Sequence, residues 1–309
     1  MIVELLDDDL VHVELSAVGE GPASNERLYT SPMVLKTDYA GPSTFSDLGN
    51  TLETAEIRLR IDASNLCVRF EDKARGDAYL TTVCPADLAR PFKGINVDPA
   101  STSHVYGLGQ QFTIPGSADG DWTRLGVREG QGDLGNGFAG FEGGAVGNVQ
   151  IPVIYALGQA NLNYALFLDN VYKQRWDFNA FWWQVRMFGD QVRYYFMTGP
   201  DLPDLRADYL ELTGRPPVPP RKAFGLWVSE FGYDSWEQID ALRDGLRSEG
   251  FPVDGFVLDL NWFGGIKLDD PTRSRMGRLD WDQDDDDGNP YSSPIRAGIS
   301  RAMPARTSV

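Results

Sequence analysis

Cysteine and histidine are both rare in this chain. Its 309 residues include two cysteines, Cys67 and Cys84, and two histidines, His12 and His104. A structural zinc site draws its ligands mostly from these two residue types, and the cysteines are not spaced as Cys-x-x-Cys. The sequence therefore predicts neither a zinc site nor a disulfide framework.

Basic residues are scarce relative to acidic ones. The chain has 28 Lys and Arg against 45 Asp and Glu, which gives a net charge of −17. Nucleic acids and anionic membranes are bound mainly through Lys and Arg side chains that neutralise phosphate. We therefore expect no nucleic acid and no membrane among the partners of this protein.

The chain also lacks long apolar segments. No run approaches the roughly 18 apolar residues that a transmembrane helix needs. The amino-terminal stretch MIVELLDDDLVHVELS has neither the basic start nor the apolar core of a signal peptide. We therefore expect a cytoplasmic location, unless the chain begins downstream of a lost leader.

Up to about residue 200 the sequence is typical of short β-strands. Apolar and polar residues alternate in segment 56–72, which predicts a hairpin. Segments 150–158 and 163–170 predict a second strand pair, and segment 181–199 predicts a third that turns at Gly189-Asp190. Many short strands separated by turns predict a β-sandwich.

A proline-rich stretch marks the expected domain boundary. Pro203 opens a predicted short helix, which Gly214 ends. Four prolines then fall within positions 216–220, and proline continues neither a helix nor a central strand. We therefore assign residues 1–200 to the β-sandwich domain and 201–222 to a short helix and linker.

After the linker the pattern changes to strand, helix and strand. Residues 223–230 and 255–262 predict strands that we expect to be buried on both faces, as parallel strands are. Between them, Ser235 and Gln238 form a capping box at the start of a helix. The loop after the first strand has no GxGxxG motif, which disfavours a dinucleotide site and favours the start of a (β/α)8 barrel over 223–290. The predicted fold class is multi-domain β plus α/β.

A carboxylate lies near the carboxyl end of each of these two predicted strands. Glu230 ends the first, and Asp259 comes directly after the apolar run Phe256, Val257 and Leu258. In a barrel, the carboxyl ends of the strands carry the chemistry, so both acids are expected at the functional rim. The alternative for Asp259 is an aspartate that caps the following loop or pairs with an arginine.

Several segments in a fixed order carry a resemblance to a known family. They are YGLGQQF (106–112), QIPVIYALG with NYALFLDNVYKQRWDF (150–178), ELTGRPPVPPRKAFGLWVSEFGY (211–233), FPVDGFVLDLNWFG (251–264) and RMGRLDWD (275–282). Together they resemble glycoside hydrolase family 31, which contains α-glucosidases, α-xylosidases and α-transglucosylases. The resemblance implies a β-sandwich followed by a (β/α)8 TIM barrel.

The resemblance also implies a reaction, the retaining cleavage of an α-glycosidic bond. One carboxylate attacks the anomeric carbon, and a second protonates the leaving oxygen. The implied substrate is an α-linked oligosaccharide or glucoside, and no cofactor is implied. The acidic run 284–287 lacks the spacing of a calcium loop, so we expect no metal. Glucose against xylose, the linkage and the oligomeric state stay open.

Three residues match the sugar site of the family. Asp259 matches an aspartate that accepts hydrogen bonds from hydroxyls of the sugar in the −1 subsite, and a carboxylate makes such bonds charge-assisted. Phe231 matches an aromatic that lines the same subsite and covers the apolar face of the sugar. Trp262 stands where the family often has an aromatic, which predicts a pocket wall, with simple packing as the alternative.

Other candidates are weaker. The family has an aspartate in a sandwich loop that reaches over the barrel mouth, and this chain has no clean counterpart. Asp121, Arg124 and Asp133 are the available substitutes in that loop. Trp182 and Trp183 lie in a predicted strand, where packing in the sandwich is a better interpretation than sugar stacking.

The nucleophile and the acid/base of the family have no counterpart in this sequence. The family carries its nucleophilic aspartate in a W-x-D-x-x-E motif, which does not occur here. We therefore expect a fragment with an incomplete barrel, no catalytic residue and an irregular tail at 291–309, inactive and poorly soluble by itself. Two alternatives stay open, a fragment of an α-transglucosylase and a non-catalytic β-sandwich that binds carbohydrate.

Overall fold

The computed structural model describes most of the predicted sandwich and the strand-helix-strand segment. The described residues are 1–15, 32–88, 93–109, 151–170, 174–178, 180–187, 192–230, 233, 235–259 and 261–265. The chain forms two compact units, Met1–Arg215 and Pro216–Val309. The division falls at the first proline of the proline-rich stretch.

Two antiparallel sheets form the first unit. The strands of the smaller sheet are β1 Ile2–Leu5, β2 Leu10–Leu15, β9 Thr102–Gly107, β10 Val153–Gly158, β11 Asn163–Leu168 and β14 Val192–Gly199. Those of the larger sheet are β3 Ser46–Asp47, β4 Thr51–Glu53, β5 Ile57–Asp62, β6 Cys67–Asp72, β7 Ala78–Ala86, β8 Lys93–Val97, β12 Gln174–Asp177 and β13 Trp183–Met187. The spatial orders are β1-β2-β14-β11-β10-β9 and β12-β13-β8-β7-β6-β5-β4-β3.

The two sheets enclose one core. Alternate residues of the strands point inward, as the alternation in the sequence predicts. Phe70 of β6 and Phe196 of β14 are fully buried, and their rings stack with 3.8 Å between centroids. Tyr164 of β11 stacks on the ring of Phe196 at 5.3 Å. Aromatic side chains bury large apolar areas, so this stack between the layers is a main source of stability for the unit.

Two of the predicted strand pairs are confirmed. β5 and β6 form a hairpin in which Asp62 pairs with Cys67, and β10 pairs antiparallel with β11. In the turn between β5 and β6, the Asp62 side chain accepts a hydrogen bond from the backbone N–H of Ser64 at 2.9 Å. Aspartate stabilises turns in this way because its short side chain reaches the backbone two residues on.

The strand pair predicted within 181–199 is wrong. β13 pairs with β8 and β12 in the larger sheet, whereas β14 pairs with β2 and β11 in the smaller one. The chain therefore passes from one layer to the other between Met187 and Val192. Both strands alternate because each presents one face to the same core, and alternation does not identify the partner strand.

A disulfide joins Cys67 of β6 to Cys84 of β7, which corrects the expectation that the cysteines form no disulfide framework. Val68 pairs with Val83 in the antiparallel ladder, so the two cysteines stand opposite each other on the next rung. The bond is a consequence of sheet register. The sequence separation of 17 residues does not reveal that register.

Helix α1, Leu202–Thr213, packs on the smaller sheet. Asp201 caps its start by accepting a backbone N–H of the first turn at 3.0 Å. The helix ends at Gly214, whose φ of +84° favours glycine. Leu205 and Leu212 are fully buried against the sheet. The helix is therefore part of the first unit.

The second unit is built around a parallel strand pair. After a short 3₁₀ helix, Arg221–Phe224, the unit contains β15 Leu226–Glu230, helix α2 Trp236–Ser248 and β16 Val253–Leu258. β15 and β16 are parallel neighbours, and the Ser235 hydroxyl caps α2 by accepting the N–H of Gln238 at 3.2 Å. The predicted strand, helix and strand are confirmed. In the described part of the chain, none of the helices has both the length and the apolar character needed to cross a membrane.

β15 and β16 are not buried on both faces, contrary to expectation. Helix α2 covers one face, where Ile239 lies in a cluster with Phe256. On the other face Trp227 and Val257 are 41% and 45% exposed. One helix covers only one side of a two-stranded sheet, so the other side is open within the described residues.

Three carboxylates meet where α1 lies against the smaller sheet. Asp9, in the turn between β1 and β2, is close to Asp204 and Asp208 of α1, with one oxygen of each within 4.8 Å of the others. Burial, and then repulsion from Asp9 and Asp204, raises the pKa of Asp208 to about 8. Burial, and then the negative charge of Glu56, raises the pKa of Asp9 to about 7. The fold therefore keeps protons on this cluster near neutral pH.

We expect the stability of the first unit to fall as the pH rises from about 4, the pKa of an unfolded aspartate, to about 8. The pKa values of Asp9 and Asp208 are raised on folding, so their protonated forms contribute stability that is lost as the pH passes through about 7 and 8. Asp208→Asn cannot ionise and should flatten the dependence of Tm on pH, with a higher Tm than the wild type at alkaline pH. Asp38→Asn, an exposed position in the same unit, is the control. A wild-type pH profile in Asp208→Asn contradicts this reasoning.

A second expectation concerns the aromatic stack of the core. Phe196→Ala should lower the free energy of unfolding by about 3–5 kcal/mol, because it leaves a cavity between the two sheets. Phe181→Ala is the matched control, since that ring is 93% exposed, and should change the free energy by less than about 0.5 kcal/mol. Urea unfolding followed by circular dichroism measures both. Equal effects of the two substitutions would show that the stack does not support the fold.

Candidate functional site

The candidate site lies at the carboxyl edge of the β15–β16 pair. Glu230 is the last residue of β15 and stands opposite Leu258, the last residue of β16. Asp259 follows Leu258 directly. Because the strands are parallel, both acids leave the sheet at the same edge, which in (β/α)8 barrels is the edge that carries the chemistry.

Asp259 extends the alternation of β16 onto the open face. Phe256 and Leu258 pack on the α2 side, whereas Val257 is exposed on the other side. Asp259 is exposed as well, and its carboxylate makes no hydrogen bond or ion pair within the described residues. Within that part of the chain, neither an arginine partner nor a loop cap accounts for this carboxylate. As far as the described residues go, its oxygens are available to accept hydrogen bonds from a polar ligand.

On the open face of the strand pair, the ring of Trp227 packs closely against the backbone of β16. The Trp227 ring lies across β16 at Gly255, where an added Cβ would stand 2.5 Å from a ring carbon. The indole N–H of Trp227 donates to the Lys222 carbonyl at 2.8 Å, which fixes the ring. Gly255 is therefore needed for the tryptophan to lie flat on the strand.

Trp262 lies on the other side of the sheet from this face. It belongs to a 3₁₀ turn, Asn261–Phe263, and is half-buried in the cluster that α2 forms with β15 and β16. Its ring meets Phe263 edge to face with 5.4 Å between centroids. Packing accounts for this position, and a role of Trp262 in a pocket wall stays a prediction.

Several predicted site residues lie outside the described residues. Phe231, the second sugar-site residue, is one of them, and so are the weaker candidates Asp121, Arg124 and Asp133. The acidic run at 284–287 and the tail at 291–309 also fall there. The structure therefore places Asp259 and Trp262 and leaves the neighbourhood of Phe231 as a prediction.

The two tryptophans of the sandwich differ in exposure. Trp183 is buried in the core, where its ring meets Phe178 edge to face at 5.3 Å. Trp182, one residue earlier, is half-buried. The interpretation of Trp183 as sandwich core is confirmed.

One chemically distinctive group was not predicted from the sequence. Asp9 is far in the sequence from Asp204 and Asp208, which lie together on α1, so no local motif predicts that the three carboxylates meet. One oxygen from each could bind a cation. Calcium takes about six to eight oxygen ligands, so these three carboxylate oxygens alone are too few for a calcium site. Oxygen Oδ2 of Asp208 is buried without a hydrogen-bond partner among the described residues. Proton retention, described above, accounts for this arrangement without a metal.

Sequence comparison connects the second unit with a known family. Residues 216–291 match the family model described as the glycosyl hydrolases family 31 TIM-barrel domain. An α-glucosidase of Saccharolobus solfataricus is 38% identical over 79 residues, which cover 26% of this chain and 11% of that protein. Alpha-glucosidase 2 of Bacillus thermoamyloliquefaciens is 28% identical over 118 residues, 38% of this chain and 15% of that protein. The matched part is therefore a small share of each relative.

Structural comparison extends the likeness to most of the chain. A dextranase of the same family from Flavobacterium johnsoniae, complexed with glucose, superposes with a TM-score of 0.63 at 20% identity, over 88% of this chain and 33% of that chain. At this identity the likeness concerns the fold. The predicted fold class, a β-sandwich followed by the first part of a (β/α)8 barrel, is confirmed.

The family model covers the segment that carries Asp259, and the shared fold extends over the sandwich. Both agree with the motifs that the sequence presents in the same order. Residues 216–291 therefore match the barrel domain of glycoside hydrolase family 31, and the fold of the chain is similar to that of a solved enzyme of this family.

Proposed function

We propose that this chain supplies the sugar-binding edge of an α-glycosidase that acts on an α-linked oligosaccharide or glucoside. The single observation that carries the proposal is the exposed carboxylate of Asp259, without a partner in the described residues, at the carboxyl edge of β16. It lies inside the segment that matches the barrel domain of the family. The dextranase with a similar fold was solved with glucose, which supports a sugar as the ligand class.

Asp259 would act by binding and orienting the sugar. An ionised carboxylate accepts two hydrogen bonds from neighbouring hydroxyls, and the charge makes each bond stronger than a neutral one. Holding the sugar in one orientation brings its anomeric carbon to the reacting groups, which lowers the entropic part of the barrier. The reacting groups of a retaining glycosidase are two further carboxylates, a nucleophile and an acid/base.

The chain as given lacks the family's W-x-D-x-x-E motif, so we propose that it is a catalytically incomplete part of such an enzyme. Substrate positioning without a nucleophile leaves only a small residue of catalysis. Hydrolysis and transfer to a sugar acceptor share the first step and the same subsite, so an α-transglucosylase parent fits the same site.

We expect the purified chain to release no phenol from an aryl α-glucoside above the rate of the buffer. We expect no turnover because the chain lacks the nucleophile motif of the family. An intact family 31 α-glucosidase assayed in parallel is the positive control, which shows that the assay detects turnover. Turnover that rises in proportion to the concentration of this chain would contradict catalytic incompleteness. If turnover were found and were lost in Asp259→Asn, the chain would be an active enzyme whose turnover depends on Asp259.

Binding of sugar should depend on Asp259. We expect Asp259→Asn to weaken the binding of isomaltotriose to the full chain by roughly 10-fold to 100-fold, because two charge-assisted hydrogen bonds become neutral ones. Asp240→Asn is the matched control, since Asp240 is an exposed carboxylate on α2 with its own ion pair to Arg243. Isothermal titration measures both. Binding that is insensitive to Asp259→Asn would instead favour the alternative of a carbohydrate-binding sandwich.

A further inference from the structure

The disulfide between Cys67 and Cys84 closes the open end of a hairpin. β6 and β7 are joined by a turn at one end, and the bond links them at the other, with 4.1 Å between the two Cα atoms. Directly opposed residues of an antiparallel pair lie at about this separation, near 4.5 Å, where they exchange no backbone hydrogen bonds. Sheet pairing by itself therefore brings the two sulfurs together.

The bond lies on the solvent side of the larger sheet. Val68 and Val83, the neighbours on the next rung, are buried in the core, so the alternation of the strands turns both cysteines outward. On the neighbouring strands, Cys84 pairs with the half-buried Asn96 of β8, and Asn96 pairs with the exposed Gln184 of β13. These polar residues lie on the same outer face as the disulfide. The cysteines themselves are half-buried, within reach of dissolved thiols.

The bond also crosses the middle of its sheet. In the order β12-β13-β8-β7-β6-β5-β4-β3, the boundary between β7 and β6 has four strands on each side. Hydrogen bonds and side-chain packing hold every other boundary. Only this one carries a covalent link among the described residues.

We propose that Cys67 and Cys84 form a redox-sensitive clip that joins the two halves of the larger sheet and opens under reducing conditions. Its closure is a thiol–disulfide exchange with a small disulfide such as oxidised glutathione. The two cysteine thiols lose two electrons and two protons and form the S–S bond, and the glutathione disulfide takes them up and leaves as two thiols. Reduction by excess thiol runs the same exchange backwards.

The clip has a consequence for where the protein matures. Disulfides form and persist in oxidising compartments and are rare in the cytosol, where thiols are kept reduced. The clip therefore favours maturation of this chain in an oxidising compartment. This inference is independent of the proposed sugar site, because it concerns only the sandwich.

The test is the redox state and thermal stability of the full chain. Chain purified without reductant and denatured in the presence of iodoacetamide should remain unalkylated, and alkylation of two cysteines should appear only after reduction. Native chain incubated with excess reduced glutathione and no denaturant should open the bond, since it faces solvent. Its Tm should then fall by roughly 5–10 °C, the effect of releasing a loop of this length in a domain of this size.

A double variant, Cys67→Ser with Cys84→Ser, is the matched control. Its Tm should equal that of the reduced wild type and should not respond to glutathione. Should the variant fail to fold, the response of the wild type to glutathione decides by itself. Two alkylated cysteines in the unreduced protein, or a Tm that is the same before and after complete reduction, overturns the proposal.

Discussion

Parallel pairing of β15 with β16 is the constraint on which the candidate site depends. Parallel strands need a crossover connection, and α2 supplies it on one face only. That leaves the second face open and brings the carboxyl ends of both strands to one edge. Asp259 stands at this edge because the apolar run before it fills the strand, and it points away from α2 because side chains alternate. In a closed barrel the same face lines the interior.

The sandwich is stabilised in a different way, by contacts between distant segments. Phe70 and Phe196 stack across the core although 126 positions separate them in the sequence. Helix α1 covers the outer face of the smaller sheet through Leu205 and Leu212. Its docking brings Asp208 of the helix against Asp9, and burial at this contact raises the pKa values of both carboxyl groups. Apolar burial therefore outweighs a local electrostatic cost at this contact.

Local chemistry made much of the fold predictable. Ser235 and Gln238 marked the start of α2, and Gly214 marked the end of α1, because caps depend on neighbouring residues alone. The partner of β14 was not predictable, since alternation gives the buried face of a strand and not its neighbour. The disulfide was missed for the same reason. For the site, the sequence predicted Asp259 at a strand end but not that Trp262 packs on the α2 side, which only tertiary contacts decide.

Two kinds of carboxylate in this chain show that the place of a residue in the fold identifies the candidate site better than a shifted pKa does. Strongly raised pKa values often mark functional sites, and here they occur at Asp9 and Asp208. Yet their environment is a helix packed on a sheet, so tight that a Cβ at Gly199 would lie 2.2 Å from a carboxylate oxygen of Asp204. Asp259 is exposed at the carboxyl edge of β16 and, among the described residues, has the unused hydrogen-bonding capacity that a ligand needs.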